Sequence, residues 1–282
     1  MSEDKKVKEL MTSDPIVAEL PGNRNSVVEE LVKNQITGMP VVKNGKLKGM
    51  ITRIDFFKNP EEDQLALIYR KDQPIVSQDA PVEEAAELFV ENDTHYLPVK
   101  DDNNACVGIL TTADMLPYIE EKSMKTPIEE IIERKCIPVF EKTPIKVALQ
   151  MMSLTNIYSF PVVDKDTSLT GIVTDRDLFD LSEINEGVEN SNLGIEKDED
   201  SWSWQGIKNV MRLYYEKSMI ELPDITVEEV MEPEPLSVYH ETEVSEAARS
   251  MNKNDFGQLP VVDELDNLEN MLYELDLIST LI

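Results

Sequence analysis

The chain has 282 residues, 41% hydrophobic and 29% charged, which suits a soluble globular protein of about two domains. With 27 Lys and Arg against 56 Asp and Glu its net charge is −29, so nucleic acid and anionic membranes are poor partners. It has no run of about 18 apolar residues to span a bilayer, and its polar start does not fit a secretory signal, so a cytoplasmic protein is expected.

Read from the N-terminus, Pro15-Ile16-Val17 is a short strand, followed by a helix carrying Val27, Val28 and Leu31. Arg24 takes the first position of that helix face, so this helix is expected to start late or to be more exposed than its counterparts. A strand at Pro40, a turn holding Asn44-Gly45 and a second strand, Gly49 to Thr52, form a hairpin, and Asp55 opens another helix. The pattern then recurs. Pro74-Ile75-Val76 precedes a helix face of Val82, Ala85, Ala86 and Phe89, then Pro98 and the phrase from Gly108 to Asp114. Ile137-Pro138-Val139-Phe140 precedes Ile145, Ala148, Leu149 and Met152, then Pro161 and Gly171 to Asp177. Pro235 to Val238 precedes Val244, Ala247, Ala248 and Met251, then Pro260 and Asn270 to Asp276. The Pro-to-Pro steps are 58, 63 and 99 residues, so the last step holds an insertion. Its acidic part, 182–200, reads as a flexible loop and its aromatic part, from Ser201 through Trp202 and Trp204 to Met219, as a helix. The domains are thus repeats at 7–60, 66–120, 125–181 and 225–282, with the insertion at 182–223.

The second phrase of each repeat carries the chemistry. Gly lets a backbone come close, a strand-end Thr can donate to a phosphate oxygen, and Asp can accept from paired ribose hydroxyls. The fourth repeat replaces Gly by Asn270 and Thr by Tyr273 but keeps Asp276, which points to a helix-capping role for the Asp in every repeat. Cys106 and Cys136 are not spaced as a redox or metal pair, and with only His95 and His240 no metal cluster can be assembled, so both thiols read as free and buried. No Ser/His/Asp or Cys/His constellation is present, so an enzyme is not expected.

The strand Pro-Val-Val followed by the apolar-apolar-x-Thr-x-x-Asp phrase resembles the CBS domain, and the phrase is intact at Thr52/Asp55, Thr111/Asp114 and Thr174/Asp177. The resemblance implies an α+β fold of four β-α-β-β-α repeats in two pseudo-twofold Bateman modules, similar to the γ subunit of AMP-activated protein kinase and to free-standing archaeal proteins. It implies adenosine-ligand binding: AMP, ADP or ATP, with S-adenosylmethionine or methylthioadenosine, or a ligand-free scaffold, as alternatives. Asp55, Asp114 and Asp177 would then hold ribose, and Thr52, Thr111 and Thr174 would touch phosphate or ribose. In the third repeat Ile137, Pro138 and Val139 would sandwich the base with Ser159, Phe160 and Pro161. His95, Arg53 and Arg176 would face phosphates. The implied partner is an enzyme or transporter whose activity follows the nucleotide, regulated by a monomeric disc or a homodimer.

Overall fold

In every repeat the apolar stripe of one helix lies on a short sheet, and the strand register shows how the sheets are completed. The computed structural model describes residues 5–59, 62–181, 183–191 and 213–282. The first repeat runs α1 (Val7–Leu10), β1 (Thr12–Ser13), β2 (Ala18–Glu19), α2 (Arg24–Lys33), β3 (Gly38–Lys43), β4 (Lys46–Thr52) and α3 (Arg53–Lys58). The second comprises α4 (Leu65–Ile68), β5 (Val76–Ser77), α5 (Val82–Glu91), β6 (Tyr96–Lys100), β7 (Cys106–Thr111) and α6 (Thr112–Lys122). The third has β8 (Val139–Phe140), α7 (Ile145–Thr155), β9 (Ser159–Val163), β10 (Leu169–Thr174) and α8 (Asp175–Asp180). Strands β11 (Glu183–Ser191) and β12 (Leu213–Glu221) follow. The fourth repeat holds β13 (Glu232–Pro233), β14 (Val238–Tyr239), α9 (Val244–Asn254), β15 (Gln258–Val262), β16 (Leu268–Tyr273) and α10 (Glu274–Ile278).

The helical spacing read from the sequence is the buried face. Val82, Ala85, Ala86 and Phe89 are buried in α5, and Val244, Ala247, Ala248 and Met251 in α9. Ile145, Ala148 and Met152 are buried in α7, while Leu149 is only partly so. In α2 the expectation for Arg24 fails: the helix begins at Arg24 and the residue is fully buried. Asn23 caps the helix by accepting from the Ser26 N–H. The Arg24 guanidinium donates to the Asn59 carbonyl, which gives the buried side chain a backbone partner. Cys106 and Cys136 are free thiols but half-buried, not fully buried as expected.

Consecutive repeats exchange their opening segments. Strand β1, from the first repeat, pairs with β7 of the second, Thr12 opposite Ile109. Val7 of α1 is fully buried in the core of the second repeat, and its N–H donates to the Ala80 carbonyl. In return Leu65 and Ile68 of α4 join the core of the first repeat, and Arg70 bridges Met50 of β4. The second pair does the same: β13 pairs with β10, Gly171 opposite Pro233, and Pro127 bridges Glu243. These exchanges define two modules, repeats one with two and three with four.

The modules meet through like positions. Helix α6 packs on α9 and α10, so the second and fourth repeats share one apolar core from Phe89 and Leu97 to Met251 and Leu277. Helix α3 packs on α8, with Phe57 and Phe179 edge to face at 5.7 Å between ring centroids. Between the third and fourth repeats the expected loop and helix are not found in the described part. Strands β11 and β12 form an antiparallel ladder from Glu183↔Glu221 to Ser191↔Leu213. Leu213-Tyr214-Tyr215 and Met219-Ile220 are rich in aromatic and β-branched residues, which favour a strand, and pairing satisfies both backbones. Trp202 and Trp204 lie outside the described residues.

Candidate functional site

Each strand-end phrase folds into the same small device. Thr52, Thr111 and Thr174 end β4, β7 and β10 and stand at the N-cap of the following helix. One oxygen of the Asp three residues on accepts both the Thr backbone N–H and its hydroxyl. The hydroxyl distances are 2.7 Å at Asp55, 2.7 Å at Asp114 and 2.8 Å at Asp177. In the fourth repeat the Tyr273 N–H donates to Asp276 Oδ2 at 2.9 Å. The Asp is therefore a cap in all four repeats, set at the third helical position. The Thr hydroxyl spends its proton on the Asp, so it can meet a ligand only as an acceptor, not as the expected donor to phosphate.

The second carboxylate oxygen distinguishes the four devices. Arg70 Nε donates to Asp55 Oδ1 at 2.7 Å, and its terminal nitrogen donates to Thr52 Oγ1 at 3.2 Å. Arg134 Nε stands 3.6 Å from Asp276 Oδ1, while its terminal nitrogen pairs with Asp93 at 2.7 Å. Among the described residues no protein donor reaches the second oxygen of Asp114 or Asp177. Burial pushes the Asp114 carboxyl up against the pull of the Thr111 hydrogen bonds.

The exchanged segments also settle which residues share a cleft. Arg70 comes from the second repeat and Asp55 from the first; Arg134 comes from the third and Asp276 from the fourth. The grouping expected for the third repeat is thus only partly assembled. Ser159 lies opposite Thr174 in the β9–β10 ladder, with Phe160 and Pro161 following, and Val139 pairs with Val162. But the approach to Pro138 runs to the fourth repeat, where Cys136 packs with Met271 and Tyr273. The Tyr273 hydroxyl donates to the Ser159 carbonyl at 3.3 Å. The glycines of the phrase serve the same exchange. A Cβ added at Gly108 would lie 2.5 Å from Met11 Sδ, and one at Gly171 2.6 Å from Met231 Sδ and 2.8 Å from the Glu232 carbonyl. The close approach they permit is that of the neighbouring repeat's chain, not of a ligand.

Both of the expected phosphate-facing arginines point elsewhere. Arg53 is buried between modules, its Nε donating to the Ile36 carbonyl and its guanidinium 5.6 Å from the Phe179 ring. Arg176 is exposed and donates to the Gln35 carbonyl of the first repeat at 3.3 Å. His95 lies half-buried beside Thr112, 4.0 Å from Glu274. Burial, helped by Arg134, lowers its pKa to about 4, so it is neutral at pH 7. The cations beside the capping carboxylates are instead Arg70 and Arg134. An Arg-Lys pair stands just before the first strand in both the second and third repeats, at Arg70-Lys71 and Arg134-Lys135, and that repetition was the available sequence signal. An open cleft of about 490 Å³ lies here, lined by Leu67, residues 69–74 and residues 92–94. Arg70 stands on its wall, with Asp55 behind it. Among the described residues no group of three or more His, Cys, Asp or Glu is placed to hold a metal, and no helix is long and apolar enough to cross a membrane.

The CBS domain profile matches residues 7–62, 67–121, 128–183 and 227–282, most of the chain. The chain belongs to the CBS-domain family. Protein MJ1225 of Methanocaldococcus jannaschii, described as a proposed archaeal homologue of γ-AMPK, has the same four-repeat fold. Its structure aligns over 99% of this chain and 100% of its own at a TM-score of 0.78 and 20% identity. In sequence alone it is 23% identical over 270 residues, 88% of each chain. A crystal structure of an uncharacterized conserved protein from Pyrococcus horikoshii is 26% identical and covers 99% of this chain and 100% of its own, with a TM-score of 0.65. The L-aspartate semialdehyde sulfurtransferase of M. jannaschii is 35% identical over 98 residues, which is 35% of this chain but only 19% of that enzyme.

Proposed function

We propose that this four-repeat CBS protein is a regulatory sensor of an adenine nucleotide and acts by binding, not by catalysis. The observation that carries the reading is the cleft beside Arg70. The Arg70 guanidinium stands next to a carboxylate whose geometry is fixed by its cap, and Lys71 lines the same cleft, a combination suited to a phosphate and a ribose diol together. Asp55, Asp114 and Asp177 are the proposed ribose acceptors, with Thr52, Thr111 and Thr174 orienting them. His95 would contribute a neutral ring. Tyr273 fills the fourth position, where no ligand is proposed. All four repeats already pack on one another within one chain, which supports a monomeric disc as the form that meets a regulated enzyme or transporter. The likeness to MJ1225, with its description as a γ-AMPK homologue, agrees with this reading.

One observation favours a second ligand class. Asp72 and Asp93 share the cleft wall with the cations, and a carboxylate pair suits the sulfonium of S-adenosylmethionine. Thermal unfolding with AMP, ADP, ATP, S-adenosylmethionine and methylthioadenosine separates the readings. A ligand at a hundred times its Kd stabilises the folded state by about 2.7 kcal/mol. Nucleotides are expected to raise Tm. A rise with the thioadenosines alone would select the second class, and no rise with any of them would favour a ligand-free scaffold.

A further inference from the structure

We propose that Arg70 is a phosphate-dependent gate on the first cleft, which admits an adenosine ligand only if the ligand brings an anion of its own. The inference rests on the adenine reading above and goes further, because it sets which adenosine compounds this cleft accepts.

The open cleft is lined by Arg70 and not by Asp55. Asp55 is buried, with a side chain only 6% exposed, and Arg70 covers it. One oxygen of Asp55 is held by Thr52 and the other by Arg70 Nε at 2.7 Å. Arg70 is also bound to Thr52 Oγ1 at 3.2 Å, and the Tyr158 hydroxyl of the third repeat faces it. A ribose diol must therefore replace Arg70 at Asp55. Displacing Arg70, whose side chain is a third exposed, breaks its charged hydrogen bonds to Asp55 and Thr52. A phosphate restores its partner, and the planar fork of Arg matches phosphate oxygens in pairs. Adenosine or methylthioadenosine offers no such anion, and the sulfonium of S-adenosylmethionine would repel the arginine. The other devices lack this gate: Asp114 and Asp177 have no arginine on their second oxygen among the described residues, and Arg134 is drawn toward Asp93. The gate also links the modules, since Arg70 belongs to the second repeat, Asp55 to the first and Tyr158 to the third.

The test compares AMP with adenosine on the full chain. Binding is followed through the 13C-methyl signal of Met50, whose backbone is bonded to Arg70. The wild type is expected to favour AMP at this signal by about ten- to a hundred-fold, the worth of a hydrogen bond to a charged group. In Arg70→Gln, AMP should weaken while adenosine tightens, closing the gap to within about fivefold. A purely structural role would weaken both. Should Arg70→Gln fail to fold, Arg70→Lys keeps the charge without the fork and should narrow the gap in the same direction. A wild type that binds AMP and adenosine equally at Met50, or an Arg70→Gln variant that loses both in parallel, would overturn the gate and leave the adenine reading standing. Binding of neither compound by the wild type would overturn both.

Discussion

Glu274 occupies in the fourth repeat the place that Arg53, Thr112 and Asp175 hold in the others, one residue past the strand end. It is buried between modules, accepts from the Thr112 hydroxyl, and has His95, Asp114 and Asp255 around it. Burial raises its pKa from 4.5 to about 7. The folded protein thus keeps a proton that the unfolded chain gives up, so this contribution to stability is full below pH 4.5 and is lost as pH rises through 7. Asp175, raised from 3.8 to about 6 by burial against the pull of Arg53, acts in the same sense at lower pH. His95 acts oppositely: its pKa falls from 6.5 to about 4, so its contribution is present above pH 6.5 and lost as pH drops toward 4. Glu274→Gln keeps an acceptor for Thr112 and removes the charge. It is expected to raise stability at pH 8 by on the order of 2 kcal/mol and by much less at pH 5. Thermal melts at the two pH values check this, and an equal effect at both would contradict it.

At the scale of elements, the exchanged opening segments decide where a mutation is felt. Val7 belongs to the first repeat by sequence, yet it is fully buried in the core of the second. Val7→Ala should cost roughly 1.5–3 kcal/mol through lost burial and the cavity left behind. Hydrogen exchange is expected to quicken in α5, β6 and β7 while α2 stays protected, and the reverse pattern would refute the exchange. The repeats themselves were legible in the sequence, because the i, i+3, i+4, i+7 stripes and the recurring Pro-Val phrase are local signals. The exchange was not. A two-residue strand such as Thr12–Ser13 has no periodicity, and its partner lies a whole repeat away. The same blindness misassigned the glycines, whose open side faces Met11 and Met231 of other repeats, and hid Arg70, whose role depends on an aspartate fifteen residues upstream in the last helix of the first repeat. Arg24 was misjudged because helix patterning cannot foresee that the Asn59 carbonyl would accept from a buried guanidinium.

Over the whole molecule the net charge of −29 is the main long-range force. The exposed ion pairs, such as Lys8 with Asp79 at 2.8 Å and Arg249 with Glu120 at 2.8 Å, contribute little to stability and cannot balance it. Repulsion among the remaining carboxylates is screened as the Debye length falls from about 30 Å at 0.01 M salt to about 10 Å at 0.1 M. Tm is therefore expected to rise as KCl is added over that range, and a steady fall would show that favourable pairs dominate. The exchange of opening segments within each module, first repeat with second and third with fourth, also imposes an order on synthesis. Lys6 must wait for Pro81 to be made before it can dock, and Pro127 for Glu243, which lies beyond the long insertion. A chain leaving the ribosome would close its first module while the third repeat is still waiting for its partner, so the second module should be the slower to form and the longer exposed to chaperones and proteases.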